Sequence, residues 1–163
     1  MLVDLTVKDF LNKVAGNDPV PGGGSVAALN GAIASALTAM VANLTIGKKG
    51  YEPHQELMSH IAGVAGEQIK QFLADVDRDS EAYNGVFDCF KMPKTTDEEK
   101  AARSAAIQEA TKYAAMVPMQ VARNAFEMMD IISDVAHLGN RNAVTDACVA
   151  MMAARSAVLG ALM

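Results

Sequence analysis

The sequence predicts an all-α bundle of about five helices, two of them long. The first observation behind this is composition. Hydrophobic residues make up 51% of the 163 residues and are rich in Ala and Met, whereas aromatics are 5% and Trp is absent. Ala and Met favour helix and close helix packing. The second is that β-branched runs bounded by turn signals, the mark of strands, are scarce. The third is apolar spacing of three and four residues in segment after segment, separated by short Gly/Pro/Asn breaks. The length suits one domain with a substantial core, residues 1–163, without internal repeats.

The first helix covers roughly residues 7–15. Thr6 is a good N-cap, with Asp9 at the acidic position of a capping box. Val7, Phe10, Leu11 and Val14 supply its apolar face, and Gly16-Asn17-Asp18-Pro19 ends it. Pro21-Gly22-Gly23-Gly24-Ser25 follows. Three glycines allow a sharp bend and a close backbone approach. A Gly-rich turn at a helix start also gathers free N–H groups where the helix dipole favours an anion. The second helix runs from about Ser25 to Ile46, and Val26 to Ile46 contains no charged side chain. Ala27, Gly31, Ser35 and Ala39 recur every four residues. Such a small-residue groove admits a neighbouring helix or a symmetry mate. Gly47-Lys48-Lys49-Gly50 stops the helix and sets two cations near its negative end.

The third helix extends from near Pro53 to Phe90, with Leu57, Ile61, Val64, Phe72 and Val76 as its stripe. At 1.5 Å per residue it spans about 50–57 Å. That is too long for a compact monomer unless it bends, at Gly63, Gly66 or Gly85, or packs its ends on a partner. Met92-Pro93-Lys94 breaks the pattern, and Thr96-Asp97-Glu98-Glu99 is a capping box for the fourth helix. Ile107, Ala110, Ala114, Val117, Val121, Met128, Ile131 and Val135 form its core face, and Pro118 should kink it. After a polar turn at His137–Asn142, the fifth helix runs from about Val144 to the end, with Ala147, Met151, Ala154 and Val158 along one side.

A net charge of −5 argues against nucleic acid as a partner, because phosphate contacts need clustered Lys and Arg. Cys89 and Cys148 have no metal-type spacing and suggest core roles in a reducing compartment. Asp4, Lys8 and Asp9 are no signal peptide, so a cytoplasmic location is expected. Val26–Ile46 has the length of a membrane span, yet Asn30, Ser35, Thr38, Asn43 and Thr45 interrupt it and no second such segment stands out. It reads as the central helix of a soluble bundle, with no membrane partner.

The densest acidic run is Asp75-Val-Asp77-Arg-Asp79-Ser-Glu81. It fails as a calcium loop, having Ser80 where Gly is needed and Val86 where Glu should bind. On a helix, Asp77, Glu81 and Asn84 share one face, and Asp79 and Tyr83 an adjacent one. The run is either a solvated acidic face or a source of carboxylates for acid–base work in a pocket. His54, His60 and His137 are scattered, so no zinc site is expected and no metal is assigned. Ser25 lacks a nucleophile elbow, and the glycines lack the Lys of a phosphate loop.

Four segments in order resemble the cyclodeaminase/cyclohydrolase family of folate one-carbon enzymes. They are Pro21-Gly22-Gly23-Gly24-Ser25-Val26-Ala27-Ala28; Met40-Val41-Ala42-Asn43-Leu44-Thr45 with Gly47-Lys48-Lys49; Asp77-x-Asp79-x-x-Ala82-Tyr83 leading to Lys91-Met92-Pro93-Lys94; and Gly139-Asn140-x-Asn142-x-x-x-Asp146-Ala147. Gly50 departs from the family, which often has Lys there, and the resemblance expects a further helical segment beyond Met163.

The resemblance implies a helical homodimer that binds a tetrahydrofolate derivative, with no cofactor beyond that carrier. Its first reaction is that of formimidoyltetrahydrofolate cyclodeaminase, in which N10 attacks the formimidoyl carbon, ammonia leaves and the 5,10-methenyl cation remains. The alternative is methenyltetrahydrofolate cyclohydrolase, in which water opens that cation to 10-formyltetrahydrofolate. A catalytically silent folate-binding dimer is a third possibility. Asp79 is expected as the principal acid/base, with Asp77 and Asp146 orienting it or balancing charge. Gly22, Gly23, Gly24 and Ser25, with Lys48, Lys49 and Arg141, are expected to bind the substrate's anionic tail; Asn43, Asn140 and Asn142 the pterin edges; and Tyr83 the ligand or the core.

Overall fold

Helices form on all five periodic segments, and the computed structural model, which describes residues 1–163, has no strand. They are α1 (Val7–Val14), α2 (Gly23–Asn43), α3 (Gln55–Phe90), α4 (Asp97–Leu138) and α5 (Val144–Ala161), with one-turn 3-10 helices at Leu2–Asp4, Glu52–His54 and Arg141–Ala143. The two expected capping boxes differ. At α4 the box is complete: Glu99 N–H donates to Thr96 Oγ1 and Glu99 Oε2 accepts from the Thr96 N–H. At α1, Asp9 N–H donates to Thr6 Oγ1, but the shorter Asp9 carboxylate takes the Thr6 hydroxyl at 2.7 Å instead of its N–H.

The second helix starts two residues earlier than expected. Gly22 is the N-cap, so Gly23, Gly24 and Ser25 are the first turn of α2, not a loop before it. The helix ends at Asn43, short of Ile46, and Gly47 and Gly50 take the positive φ values of 72° and 89° that favour glycine. The Val20–Pro21 bond is cis.

α2 is the centre of the bundle, packed by α3, α5 and α4. Its small-residue stripe is filled within the chain. A Cβ on Gly31 would lie 2.7–2.9 Å from the Phe72 ring of α3. Two turns away, a Cβ on Gly24 would fall on the Asp79 carboxylate. Gly24 and Gly31 are seven residues apart, and so are Asp79 and Phe72 in the opposite direction. The two helices are therefore antiparallel, with two large side chains of α3 seated over two glycines of α2. Buried Ser35 and Thr38 donate to the carbonyls of Gly31 and Ala34 within α2, and Thr45, in the turn after it, donates back to the Val41 carbonyl, so each hydroxyl is satisfied locally.

α5 lays Ala147, Ala150, Ala154, Ala157 and Ala161 into the core. Met151 and Val158 flank this line, partly buried. Contrary to expectation, Arg141–Ala161 is a second segment long and apolar enough to cross a membrane, because Asp146 and Arg155 are its few charges past Arg141. The first such segment, α2, is 61% buried inside the bundle.

The long helices outrun their partners. At 1.5 Å per residue, α3 is about 54 Å and α4 about 63 Å long, against about 32 Å for α2. Gly63, Gly66 and Gly85 do not break α3, and α4 continues through Pro118. No residue from Tyr83 to Met116 is buried, so this stretch projects as a helical hairpin. Ile107, Ala110 and Ala114, expected in the core, are only partly covered there. Tyr83, Phe87, Phe90, Tyr113 and Met116 are exposed on it. The cysteines also leave the core: Cys148 is exposed and Cys89 half-buried, both free.

The acidic run is a solvated face only at Glu81, which is exposed; Asp75 and Asp77 are buried. Asp75 is fully buried, and its Oδ1 accepts from Gln71 Nε2 at 3.0 Å and pairs with Arg78 at 2.8 Å, while Oδ2 has no partner. Burial pushes the Asp75 carboxyl above its ordinary range, against the opposing pull of Arg78 and Gln71. A raised carboxyl favours the folded state below its unfolded pKa, and that contribution is lost as pH rises through the folded pKa. Asp75→Asn is therefore expected to raise Tm at pH 8, with the gain shrinking as pH falls toward the carboxylate range. A Tm loss at pH 8 would show that the Arg78 pair outweighs desolvation.

Candidate functional site

The two faces of the acidic run open into different spaces. Asp77, Glu81 and Asn84 line a groove of about 930 Å³ with the N-terminal residues and Phe87. Asp79 and Tyr83 line a smaller cavity of about 190 Å³ with Pro19, Val20, Gly22, Gly23, Gly24 and Ala114. Four segments meet there: the turn before α2, the first turn of α2, α3 and α4.

Asp79 is held by the first turn of α2. Ser25 Oγ donates to Asp79 Oδ2 at 2.8 Å and lies 3.1 Å from Ser80 Oγ. Ser25 is fully buried, so it is neither a helix cap nor an open substrate ligand; it positions the carboxylate. Gly24 does the same by absence, since any Cβ there would displace the carboxylate. Asp79 Oδ1 accepts no hydrogen bond within the chain and is the carboxylate oxygen nearest Gly24. The first-turn N–H groups of α2, which no helical carbonyl can pair, sit beside this negative charge.

Asp77 faces the other way. Its Oδ1 accepts from the Leu2 N–H, and its Oδ2 is buried without a partner. It ties the N-terminal 3-10 helix to α3 and is absent from the Asp79 cavity.

The remaining expected residues gather at the opposite end of α2. Asn140 is 7% exposed and ties the turn after α2 to the Arg141–Ala143 3-10 helix. Its Oδ1 accepts from Lys48 Nζ at 2.7 Å and from the Asn142 N–H, its Nδ2 donates to Leu44 O, and its N–H donates to Thr45 Oγ1. The Arg141 N–H donates to the Tyr51 hydroxyl. Asn43, Lys49, Arg141 and Asn142 are exposed, and Asp146 is half-buried in the first turn of α5. A cavity of about 320 Å³ lies here, lined by Tyr51, His54, His137 and Arg141 with neighbouring backbone. Gly24 and Asn43 are nineteen residues apart on one helix, about 28 Å. One chain thus holds the expected residues in two clusters rather than one pocket.

Several lining residues escape sequence reasoning. Ser80 is adjacent to Asp79, yet only its burial beside Ser25 gives it a role. Pro19, Val20 and Ala114 have no chemical signal of their own; for Ala114 the available hint is Pro118, four residues on. No three His, Cys, Asp or Glu side chains converge as metal ligands would.

The sequence profile of the family described as formiminotransferase-cyclodeaminase matches residues 6–163. The chain is 41% identical over 158 residues to a methenyltetrahydrofolate cyclohydrolase of Methylorubrum extorquens, covering 94% of this chain and 76% of that protein. It is 31% identical over 160 residues to formimidoyltransferase-cyclodeaminase of Mus musculus, covering 98% of this chain and 30% of that longer protein. In fold it is similar to the crystal structure of a formiminotetrahydrofolate cyclodeaminase from Thermotoga maritima, with a TM-score of 0.79 at 31% identity, covering 99% of this chain and 80% of that one. Matched over almost its whole length in both sequence and fold, this chain belongs to the formiminotransferase-cyclodeaminase family of folate one-carbon enzymes.

Proposed function

We propose that the chain hydrolyses 5,10-methenyltetrahydrofolate to 10-formyltetrahydrofolate, with the Asp79 cavity as the reaction site. The observation that carries the choice of reaction is the 41% identity to the Methylorubrum cyclohydrolase. It reverses the order that the motif resemblance alone suggests. The cyclodeaminase reaction is the second reading, favoured by the likeness to the Thermotoga cyclodeaminase.

The chemistry asks for a carboxylate beside a carbon that carries positive charge. Asp79 lines the cavity, and its Oδ1 accepts no hydrogen bond within the chain while Ser25 anchors Oδ2. As water adds to the methenyl carbon, Asp79 takes one of its protons. It returns that proton to N5 as the C–N5 bond breaks, and the adduct's remaining hydroxyl proton leaves to solvent as the formyl C=O forms. Lys48, Lys49 and Arg141 serve the anionic tail, and Asn43 and Asn142 the pterin edges. About 28 Å separates these groups from Asp79 along α2. A homodimer that sets one copy's Lys48–Arg141 end beside the other's Asp79 cavity joins them, and the exposed apolar side chains of the α3–α4 hairpin support such packing.

Absorbance of the methenyl chromophore tests the reading. Faster decay of supplied methenyltetrahydrofolate is expected. Growth of the signal from formimidoyltetrahydrofolate, with ammonia release, would move the assignment to the cyclodeaminase. Binding without either change would leave a silent folate binder. Light scattering should give a dimer; a fully active monomer would remove the shared site.

A further inference from the structure

Pro118 lies inside α4, with helix on both sides. It ends nothing, so its presence in the middle of a 42-residue helix has a local cost without a boundary role. Proline has no N–H. The carbonyl four residues earlier, that of Ala114, therefore loses its helical donor and is pressed outward by the ring. An unpaired backbone carbonyl calls for some other donor. Residues i and i+4 share one face of a helix, so the opened carbonyl lies on the strip that carries Ala114. Ala114 is what α4 contributes to the Asp79 cavity. The break in the hydrogen-bond ladder thus begins at a residue that lines the same cavity as Asp79.

We propose that the Ala114 carbonyl, freed by Pro118, is a backbone acceptor of the substrate site. It takes the positive end of the ligand, a cationic or N–H-bearing carbon–nitrogen group, which Asp79 flanks from α3. The α2 amides on the third wall complete the polarity by favouring electronegative atoms. The inference rests on the Asp79 cavity being the reaction site.

Pro118→Ala restores the N–H and gives Ala114 its helical partner. The expected result is a higher Tm together with a fall in kcat/KM for methenyltetrahydrofolate of about tenfold or more, as for loss of a hydrogen bond to a charged group. The fall should come mainly through KM, because this substrate is already cationic when it binds. A stability change alone does not produce that split. Replacing residue 118 by lactate, which puts an ester oxygen in place of the N–H and carries no ring, should bring kcat/KM back to near wild type. Unchanged kcat/KM in Pro118→Ala, or a lactate variant as impaired as the alanine one, would overturn the proposal while leaving wild-type turnover to support the reaction site. Absence of turnover in the wild type would instead overturn the site and the acceptor together. Circular dichroism confirms that each variant is folded.

Discussion

Asp79→Asn should lower kcat by about 100-fold or more, with helix content by circular dichroism unchanged. Asparagine preserves the size of the side chain, and its amide oxygen can still accept from Ser25 Oγ, so the seat over α2 survives. What it cannot do is take a proton at neutral pH. Gly24→Ala should reproduce part of the loss from the other side, because the added Cβ occupies the carboxylate's place. The competing role is structural: Asp79 could serve only as a negative charge at the α2 N-terminus. In that case Asp79→Asn would lower Tm by the modest amount of a lost charge–dipole contact and leave kcat near wild type. That outcome would remove Asp79 as the acid/base and turn attention to Asp77 and Glu81 in the neighbouring groove.

Phe72→Ala should cost about 3–5 kcal/mol of stability, the range for truncating a buried aromatic. Phe72 is fully buried, and its ring fills the space that Gly31 leaves on α2. Truncation opens a cavity against a residue with no side chain to collapse into it. Urea denaturation should show a lower midpoint at unchanged slope. Gly31→Ala stresses the same contact from the opposite side and should cost about 1–3 kcal/mol as overpacking. A loss below about 1 kcal/mol in Phe72→Ala would mean that the seat closes up and that the α2–α3 register does not depend on it. The contact matters for function because Phe72 and Asp79 occupy equivalent seats two turns apart. Loosening one should loosen the placement of the other.

The helices were legible because their causes are local. The periodicity in α3, the Thr96–Glu99 box and the glycines after α2 act within a turn or two of chain. Placement of Asp77 and Asp79 on different faces follows from helical geometry alone, and the separate cavities they line bear it out. Family membership was also legible, from four short motifs in order, and the comparisons show it. The burial of Asp75 was not. It opens a run that continues with Asp77, Arg78, Asp79 and Glu81, and only the packing of the bundle shows that this side chain has lost its water. Cys148 is the reverse case, an apolar-looking residue left on the outer face of α5.

The sequence by itself determined the helical class, the order and approximate ends of the elements, the family, and which side chains could carry charge or protons. These follow from backbone propensity, caps and residue chemistry, all of which act over a few residues. Only the tertiary structure decided what each of those side chains meets. It filled the small-residue stripe with Phe72, gave Ser25 to Asp79, drew Ala114 into the cavity, and divided the expected site between the two ends of α2. Those pairings join residues 54 positions apart for Ser25 and Asp79, and 92 for Lys48 and Asn140. They exist only once α3 and α4 have packed against α2, because close packing, not local chain preference, selects which surfaces touch.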